Sequence, residues 1–153
     1  MIRRRFYKYL LNKYLDDCKT ILDVGSGVGV FYDQAIVKGK NVTGIEIEDS
    51  YIRDNIIKKD FFELENKFDG IFLSQFIEHH DSYKVMEKVE KLCLKKVIII
   101  APKPTFSFWN NPEHKRPHTA KSLSRLMQLY GLKTIWKSNL GFFSSCICIG
   151  EKK

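Results

Sequence analysis

Apolar residues along this 153-residue chain fall into short continuous runs separated by helical or polar segments. The runs that predict strands are Thr20–Val24, Asn41–Ile47, Ile56–Ile57, Phe68–Ser74, Val97–Ala101, Leu132–Lys137 and Ser144–Ile149. The run VIIIA at Val97–Ala101 has no polar alternation, which is typical of a strand buried on both faces of a parallel sheet. We expect the last two strands to pair antiparallel through a turn at Asn139 and Gly141.

Helical periodicity fills the intervals, with Asp81 and Thr119 as predicted N-caps and Gly131 as a predicted C-terminal stop. The residues predicted to face inward are Phe6, Leu10 and Tyr14 in an N-terminal helix within 1–17, Phe31, Ala35 and Ile36 in the second helix, Val85, Met86, Val89, Leu92 and Cys93 in the third, and Leu123, Leu126, Met127 and Tyr130 in the fourth. The alternation predicts one α/β domain over residues 1–153, Rossmann-like and doubly wound. In such a sheet, ligands bind beyond the carboxyl ends of the strands.

Composition places the chain among globular proteins. Apolar residues make up 44% and charged residues 29%, and no apolar run approaches the length of a membrane span. The N-terminus lacks the continuous apolar region and cleavage site of a signal peptide, so we expect a cytoplasmic protein. The net charge of +8 is spread along the chain, which suits either polyanion binding or an ordinary solubilising surface.

The four cysteines, Cys18, Cys93, Cys146 and Cys148, show no C-x-x-C spacing. They are either reduced, buried thiols or half of a metal site. The absence of a second nearby pair favours the thiols.

A glycine-rich loop follows the first strand in the stretch ILDVGSGVGV, residues 21–30. Its spacing is G-x-G-x-G, whereas the dinucleotide fingerprint G-x-G-x-x-G requires a glycine where Val30 stands. An acid precedes the loop, and Glu46 lies near the end of the second strand, where a carboxylate can accept both hydroxyls of a ribose. No lysine or arginine follows the loop to bind phosphate, so the expected ligand is a nucleoside without phosphates.

Four segments in order, LDVGSGVG, GIEIE, KKDFFEL and FDGIFLSQFIEH, resemble the class I S-adenosylmethionine-dependent methyltransferases, type 11-like. The resemblance covers nearly the whole chain. It implies an enzyme that uses S-adenosyl-L-methionine, with a seven-stranded, mostly parallel sheet whose last strand is antiparallel.

The resemblance also implies which residues contact the cofactor: Asp23, Gly25, Ser26, Gly27, Gly29, Glu46, Asp60, Phe61 and Ser74. The glycines would border the methionine part, Asp23 would position it, and Glu46 would bind the ribose. Asp60 and Phe61 match positions that contact adenine, although Asp60 is also suited simply to capping a turn.

The chain departs from most relatives in having little room for a helix between Glu46 and Asp60 and no insertion to build a cap. We therefore expect an open active site, which favours a large or polymeric acceptor.

All four histidines lie in two predicted loops on the ligand side: His79 and His80 in one, His114 and His118 in the other. Histidine is a common general base and metal ligand, although Glu-His after the fourth strand also occurs in relatives that use no metal. The string Q-x-x-E-H resembles the E-x-x-E-H of metal-dependent O-methyltransferases that act on adjacent hydroxyls, with the amide of Gln75 replacing a carboxylate. The segment NPEHKRPHT is similar to methyltransferases encoded among glycan-biosynthesis enzymes.

These strings predict Glu78, His79 and His114 as catalytic residues and, with Gln75, as ligands of a divalent cation, Mg²⁺ or Mn²⁺. We expect O-methylation of adjacent hydroxyls on a glycan or RNA, because the signature of amino-group methylators, Asp/Asn-Pro-Pro-Tyr, is absent. Phe106, Phe108 and Trp109 either stack on the acceptor or plug the end of the sheet. The alternative is a non-catalytic cofactor-binding subunit or nucleic-acid-binding module with the same fold. The sequence predicts no particular oligomeric state.

Overall fold

A computed structural model describes residues 2–53, 55–140 and 144–153. Its helices are α1 (Ile2–Tyr14), α2 (Val30–Val37), α3 (Ser82–Leu92), α4 (Phe106–Trp109) and α5 (Ala120–Leu129). Its strands are β1 (Thr20–Val24), β2 (Asn41–Glu46), β3 (Ile56–Lys58), β4 (Phe68–Ser74), β5 (Cys93–Pro102), β6 (Leu132–Leu140) and β7 (Ser145–Lys152). Within the described ranges, no helix combines the length and apolar character that crossing a membrane requires.

The seven strands form one sheet in the order β3-β2-β1-β4-β5-β7-β6. The first five strands of the chain pair in parallel, whereas β7 runs antiparallel between β5 and β6. The predicted doubly wound sheet with an antiparallel last strand is confirmed. The strand order reverses between β1 and β4, so their carboxyl ends define the crevice in which such folds bind ligands.

The sheet is buried on both faces, as the VIIIA run predicts. Val97 and Ile99 of β5 belong to the core covered by α3 and α5, whereas Ile98 and Ile100 belong to the core covered by α1 and α2. The cysteines are free, buried thiols, with Cys146 and Cys148 on the same face of β7.

Side-chain caps fix the starts of the two later helices. The Asp81 carboxylate accepts hydrogen bonds from the backbone N–H groups of Tyr83 and Lys84, as predicted. Thr119 and Ser122 form a reciprocal capping box at the start of α5. Gly131 follows this helix with a φ of 72°, a left-handed conformation that favours glycine.

Several predicted boundaries and orientations are wrong. The N-terminal helix ends at Tyr14, short of residue 17. Ile36 is 45% exposed, because the short α2 turns Phe31, Tyr32 and Ala35 toward the core and Ile36 lies one position past that face. Cys93 begins β5 rather than ending α3, so this strand starts well before Val97.

The predicted turn at Asn139 is also wrong. Asn139 lies in β6, where it pairs with Cys146, and its amide oxygen accepts a hydrogen bond from the backbone N–H of Ala120. This long-range contact at the start of α5 extends the strand to Leu140. Gly141, the other predicted turn residue, lies outside the described residues.

Candidate active site

A cleft of about 910 Å³ opens above the carboxyl ends of β1, β2 and β4. Such a volume is at the upper end of the range typical of small-molecule and cofactor sites. Of the predicted cofactor residues, the lining includes Asp23, Gly25, Ser26, Gly27, Glu46, Asp60, Phe61 and Ser74. The structure therefore brings together in one cleft all but one of the residues expected to contact the cofactor.

The glycine-rich loop is tied to the end of β2 through Glu46. One carboxylate oxygen of Glu46 accepts a hydrogen bond from the backbone N–H of Gly27 at 2.9 Å, and the other accepts from the N–H of Ile47 at 2.8 Å. The second oxygen also accepts from the N–H of Glu48 at 3.3 Å. Because each carboxylate oxygen has two acceptor sites, Glu46 retains capacity for one ligand hydroxyl, on the oxygen that accepts from Gly27. The loop and the acid are thus held together without a ligand.

Gly29 is the predicted cofactor residue that does not line the cleft. It is buried at the start of α2 with a φ of 77°, and a Cβ built on it would lie 2.1 Å from Nη2 of Arg53. Gly29 therefore packs beneath the Arg53 side chain, where a larger residue would not fit without displacing that side chain.

Asp23 forms part of the cleft floor at the end of β1. It is 3% exposed, and its Oδ2 atom has no hydrogen-bond partner among the described residues. Burial raises the pKa of its carboxyl to about 7, assisted by the negative charge of Glu46. A buried carboxyl with one oxygen that lacks a hydrogen-bond partner among the described residues is suited to a cationic group on a ligand in the cleft.

Asp60 both caps a turn and lines the cleft, so the two interpretations of this residue are compatible. Its side chain accepts a hydrogen bond from the backbone N–H of Phe62 at 2.8 Å, at the start of the 3-10 turn Phe61–Glu63. Phe61 is buried, with its ring edge-on to Phe76 at 5.5 Å.

Tyr7 is a site residue that the sequence analysis missed. Its hydroxyl lies 2.7 Å from Oγ of Ser74, and its buried ring lines the cleft. The spacing of Tyr7, Leu10, Leu11 and Tyr14 follows the helical i, i+3, i+4, i+7 series. That series is the signal that would have placed Tyr7, rather than the half-buried Phe6, on the inward face.

Glu78, His79 and His114 converge beside the cleft, although Glu78 and His79 come from the segment after β4 and His114 from the segment after β5. One candidate ligand atom from each side chain lies within 4.8 Å of the other two. Nε2 of His79 is 3.8 Å from Oε1 of Glu78, and the two imidazole ring centroids are 4.9 Å apart. His79 lines the cleft directly.

Backbone and side-chain contacts fix this cluster. The backbone N–H of Lys115 donates to the carbonyl of Glu78 at 2.7 Å, which joins the two loops. Nδ1 of His114 lies 3.0 Å from the carbonyl oxygen of Phe108. Because a carbonyl only accepts, this nitrogen carries the proton and Nε2 keeps its lone pair.

Burial controls the charge of the cluster. It raises the pKa of the Glu78 carboxyl to about 7, and Oε2 of this residue has no hydrogen-bond partner among the described residues. Burial also lowers the pKa of His79, and the neighbouring His114 lowers it further. His79 therefore favours its neutral form near pH 7.

Both histidine-containing loops were expected on the ligand side, which holds for His80 but not for His118, while Gln75 lines the cleft. His118 is 2% exposed, its Nε2 lies 3.0 Å from Oγ of Ser82, and burial lowers its pKa to about 4. His80 lines the cleft and packs against Phe76, with 4.3 Å between ring centroids. Gln75 lines the cleft at a φ of 57°.

The aromatic residues after β5 were expected either to stack on the acceptor or to plug the end of the sheet, and they differ in burial. Phe108 is 1% exposed and packs against His114 at 4.6 Å, so it plugs the end of the sheet and supports the cluster. Phe106 and Trp109, by contrast, are 92% and 64% exposed.

Solved structures share this fold. A S-adenosylmethionine-dependent methyltransferase from Archaeoglobus fulgidus aligns with a TM-score of 0.74 at 20% identity, over 97% of this chain and 94% of that one. Magnesium protoporphyrin IX methyltransferase from Synechocystis PCC 6803, with bound S-adenosylhomocysteine, aligns with a TM-score of 0.81 at 13% identity, over 99% of this chain and 84% of that one. The 1,6-didemethyltoxoflavin-N1-methyltransferase of Burkholderia thailandensis aligns with a TM-score of 0.78 at 15% identity, over 98% of this chain and 78% of that one. The fold is therefore that of the class I S-adenosylmethionine-dependent methyltransferases.

The sequence itself matches the family described as "Methyltransferase domain" over residues 2–136. The chain belongs to this family and is a methyltransferase of the S-adenosylmethionine-dependent class. No curated protein sequence matches the chain.

Proposed function

We propose that this methyltransferase transfers the methyl group of S-adenosylmethionine to a hydroxyl of an acceptor that presents two adjacent hydroxyls. The observation that carries the proposal is the convergence of Glu78, His79 and His114 beside the cleft. A hydroxyl is a poor nucleophile until its proton is removed, so its methylation requires a base or a Lewis acid at the reacting oxygen. His79 is suited to act as the base, and the three side chains together are suited to hold a cation that would act as the Lewis acid.

The cofactor half of the cleft suits S-adenosylmethionine. Glu46 has acceptor capacity for a ribose hydroxyl, and Asp60 and Phe61 line the cleft where adenine would lie. The cofactor carries a sulfonium and an ammonium group. Either cation would compensate the buried carboxyl of Asp23, which has an oxygen without a hydrogen-bond partner among the described residues.

In the transfer, the acceptor oxygen attacks the methyl carbon in line with the carbon–sulfur bond. That bond breaks, its electron pair stays on sulfur, and S-adenosylhomocysteine leaves. The hydroxyl proton passes to the neutral His79. Glu78, whose Oε1 is 3.8 Å from Nε2 of His79, then stabilises the imidazolium.

The same three residues fit a divalent cation. Two imidazole nitrogens and a carboxylate favour Mn²⁺ over Mg²⁺, which prefers oxygen ligands. A cation would also give Oε2 of Glu78 the partner that it lacks among the described residues. When bound, it supplies Lewis acidity that lowers the pKa of a coordinated hydroxyl.

The surroundings of the cluster support a large acceptor such as a glycan or RNA. The exposed Phe106 and Trp109 lie in α4, within the segment between β5 and α5 that also supplies His114. Exposed aromatic rings of this kind stack on sugar faces or bases.

The proposal is tested by incubating the protein with methyl-labelled S-adenosylmethionine and RNA, polysaccharide or catechol, each with chelator or with added Mn²⁺. We expect transfer to acceptors with adjacent hydroxyls and not to analogues in which one hydroxyl is missing. His79→Gln should lower the rate by about 100-fold or more. Transfer confined to nitrogen acceptors, or a full rate in His79→Gln, would overturn it. Loss of activity on chelation would indicate that the cluster holds a cation that activates the hydroxyl. Activity retained in chelator would indicate that His79 accepts the hydroxyl proton directly.

A further inference from the structure

Helix α1 presents a strongly basic face to solvent. The helix has five basic residues and no acid. Arg4, Arg5 and Lys8 are exposed, and Lys8 lies one helical turn beyond both arginines, so these three residues form one cationic face. The apolar side of the helix is already used, because Tyr7 and Leu10 are buried in the core. The helix therefore offers a partner a cationic face rather than an apolar one.

The charges of this cationic face oppose the stability of the helix. The first turn of α1 contains arginines and no acid, and cations at this end oppose the helix dipole. Arg4 and Lys8, at i and i+4, also repel each other. None of the ion pairs in the described part of the chain includes Arg4, Arg5 or Lys8. Charges that break a local rule without compensation in the fold are typical of a functional surface.

The cationic face borders the cleft, because α1 begins there. The hydroxyl of Tyr7 lies 2.7 Å from Oγ of Ser74, at the carboxyl end of β4. Arg3, on the same helical turn as Arg4 and Arg5, lines the cleft itself and is not counted in the face. A ligand that extends out of the cleft on this side would meet the cationic face.

A second group of cations borders the cleft from the opposite face of the sheet. Lys115 lines the cleft, and Arg116 lies over the ring of Tyr83 in α3 at 5.7 Å. Both cations are exposed, and neither belongs to an ion pair among the residues that the structure describes. Residues 103–118 contain three cations and one acid, Glu113. The cleft therefore lies between two cationic regions.

Two exposed aromatic rings accompany the second group of cations. Phe106 is 92% exposed, and Trp109 is 64% exposed with its ring edge-on to the buried Phe108 at 5.0 Å. Cations that follow a phosphodiester chain, with rings that stack on unpaired bases, are the features by which proteins bind single-stranded nucleic acid. An uncharged glycan would not use the cations. A flat bilayer would not follow the concave cleft between them.

We propose that a single-stranded nucleic acid binds across the mouth of the cleft, with its phosphates on the cationic face of α1 and on Lys115 and Arg116, and with bases stacked on Phe106 and Trp109. The inference rests on the proposed function in making this strand the carrier of the methyl acceptor. The binding itself involves no methyl transfer, so a binding measurement can fail or succeed independently of the proposed chemistry.

The test is the fluorescence anisotropy of a labelled single-stranded RNA oligonucleotide of mixed sequence, titrated with protein saturated with S-adenosylhomocysteine. We expect saturable binding that weakens from about 50 to about 200 mM salt. The combined variant Arg4→Gln, Arg5→Gln and Lys8→Gln should bind at least about tenfold more weakly. Its slope of log affinity against log salt should be less steep by about 2, since each phosphate contact on a single strand contributes about 0.7.

The matched control removes three cations from the opposite edge of the sheet, with Lys38→Gln, Lys91→Gln and Lys133→Gln. Lys38 follows α2, Lys91 lies in the last turn of α3, and Lys133 lies at the start of β6. The net charge falls by the same amount as in the α1 variant, but affinity for RNA should stay within about threefold of wild type. The α1 variant loses charges that oppose the helix dipole, so it should melt at no lower a temperature than wild type.

The aromatic part is tested with Phe106→Ala and Trp109→Ala together. This variant should lose at least about tenfold in affinity for single-stranded RNA at an unchanged salt slope, and it should lose little for an RNA duplex, whose bases are already stacked. The absence of saturable binding, or equal affinity in the α1 variant and its control, would overturn the proposal. Binding to vesicles of phosphatidylserine and phosphatidylcholine but not to RNA would also overturn it, because the surface would then bind a membrane.

Discussion

The two halves of the cleft are built in different ways. At the ends of β1 and β2, hydrogen bonds from the main chain hold the glycine-rich loop in place. The N–H of Gly27 donates to Glu46, and the N–H of Ser26 donates to the carbonyl of Ile45 at 3.0 Å. At the ends of β4 and β5, three side chains from two segments of the chain meet around one point. The half that we propose to bind the cofactor (the cofactor half) thus depends on local backbone shape. The half that we propose to bind the methyl acceptor (the acceptor half) depends on tertiary contacts such as that between Lys115 and Glu78.

This difference predicts that substitutions in the two halves have separable effects. Changes in the cofactor half should alter affinity for the cofactor, while changes in the acceptor half should alter the chemical step or the stability of the buried acid.

The largest effect on affinity is expected for Gly27→Val. Gly27 lines the cleft at a φ of 51°, so a branched side chain strains the loop and occupies ligand space. We expect affinity for S-adenosylhomocysteine, measured by calorimetry, to fall by about 100-fold or more, a loss of about 3 kcal/mol.

Gly39→Val is the matched control for this loss. Gly39 has a φ of 74°, and a Cβ added at either glycine meets no atom within 4 Å, but Gly39 does not line the cleft. Equal affinity in the two variants, both folded, would show that the loop does not hold the cofactor.

A smaller effect is expected on stability for Glu78→Gln. The pKa of Glu78 is about 7 in the folded protein, above the ordinary value of 4.5, so the folded state binds more protons than the unfolded state between these values. The contribution of Glu78 to the free energy of unfolding therefore falls as pH rises from about 4.5 to about 7. At pH 8, in chelator, we expect Glu78→Gln to be more stable than the wild type by about 1–3 kcal/mol.

Urea unfolding at pH 4.5 and pH 8 checks this expectation, since the difference should vanish at the lower pH. Glu87→Gln, on the exposed face of α3, is the control and should change stability little at either pH. Equal stability of Glu78→Gln and wild type at pH 8 would mean that the buried acid is already compensated.

The smallest effect is expected for Gly29→Ala. A Cβ there would meet Arg53 at 2.1 Å and Ile56 at 3.1 Å, at a φ of 77°. We expect a loss of about 1 kcal/mol in the free energy of unfolding. Affinity for S-adenosylhomocysteine should remain within about threefold of wild type. A loss of affinity as large as that of Gly27→Val would place Gly29 in the cofactor site after all.

The sequence predicted β1 and β4 to the residue, because each is a continuous apolar run ended by a loop with its own signal. Asn139 was misjudged because an isolated Asn resembles a turn residue, while its partner, the N–H of Ala120, is distant in sequence. The residues predicted to contact the cofactor, except Gly29, line the cleft, and local motifs were sufficient to predict this position; their contacts with the cofactor stay predictions.

Fewer features of the acceptor half could be predicted from the sequence. The three residues of the cluster were expected to converge, and the structure brings them together, although their roles stay predictions. His118 was expected in a loop on the ligand side, but its position in a predicted loop does not show that it is buried against Ser82. Tyr7 was missed because Phe6, rather than Tyr7, was assigned to the inward face of α1.

The most direct test of the account measures affinity for S-adenosylhomocysteine and the rate of methyl transfer together in two variants, Glu46→Ala and His79→Gln. We expect Glu46→Ala to weaken the cofactor complex by about 1–3 kcal/mol, the loss typical of a charge-assisted hydrogen-bond partner. At saturating cofactor it should retain most of its rate. His79→Gln should bind S-adenosylhomocysteine like the wild type and lose about 100-fold or more in rate. The reverse pattern, with His79→Gln losing affinity and Glu46→Ala losing only rate, would contradict the division of the cleft into a cofactor half and an acceptor half.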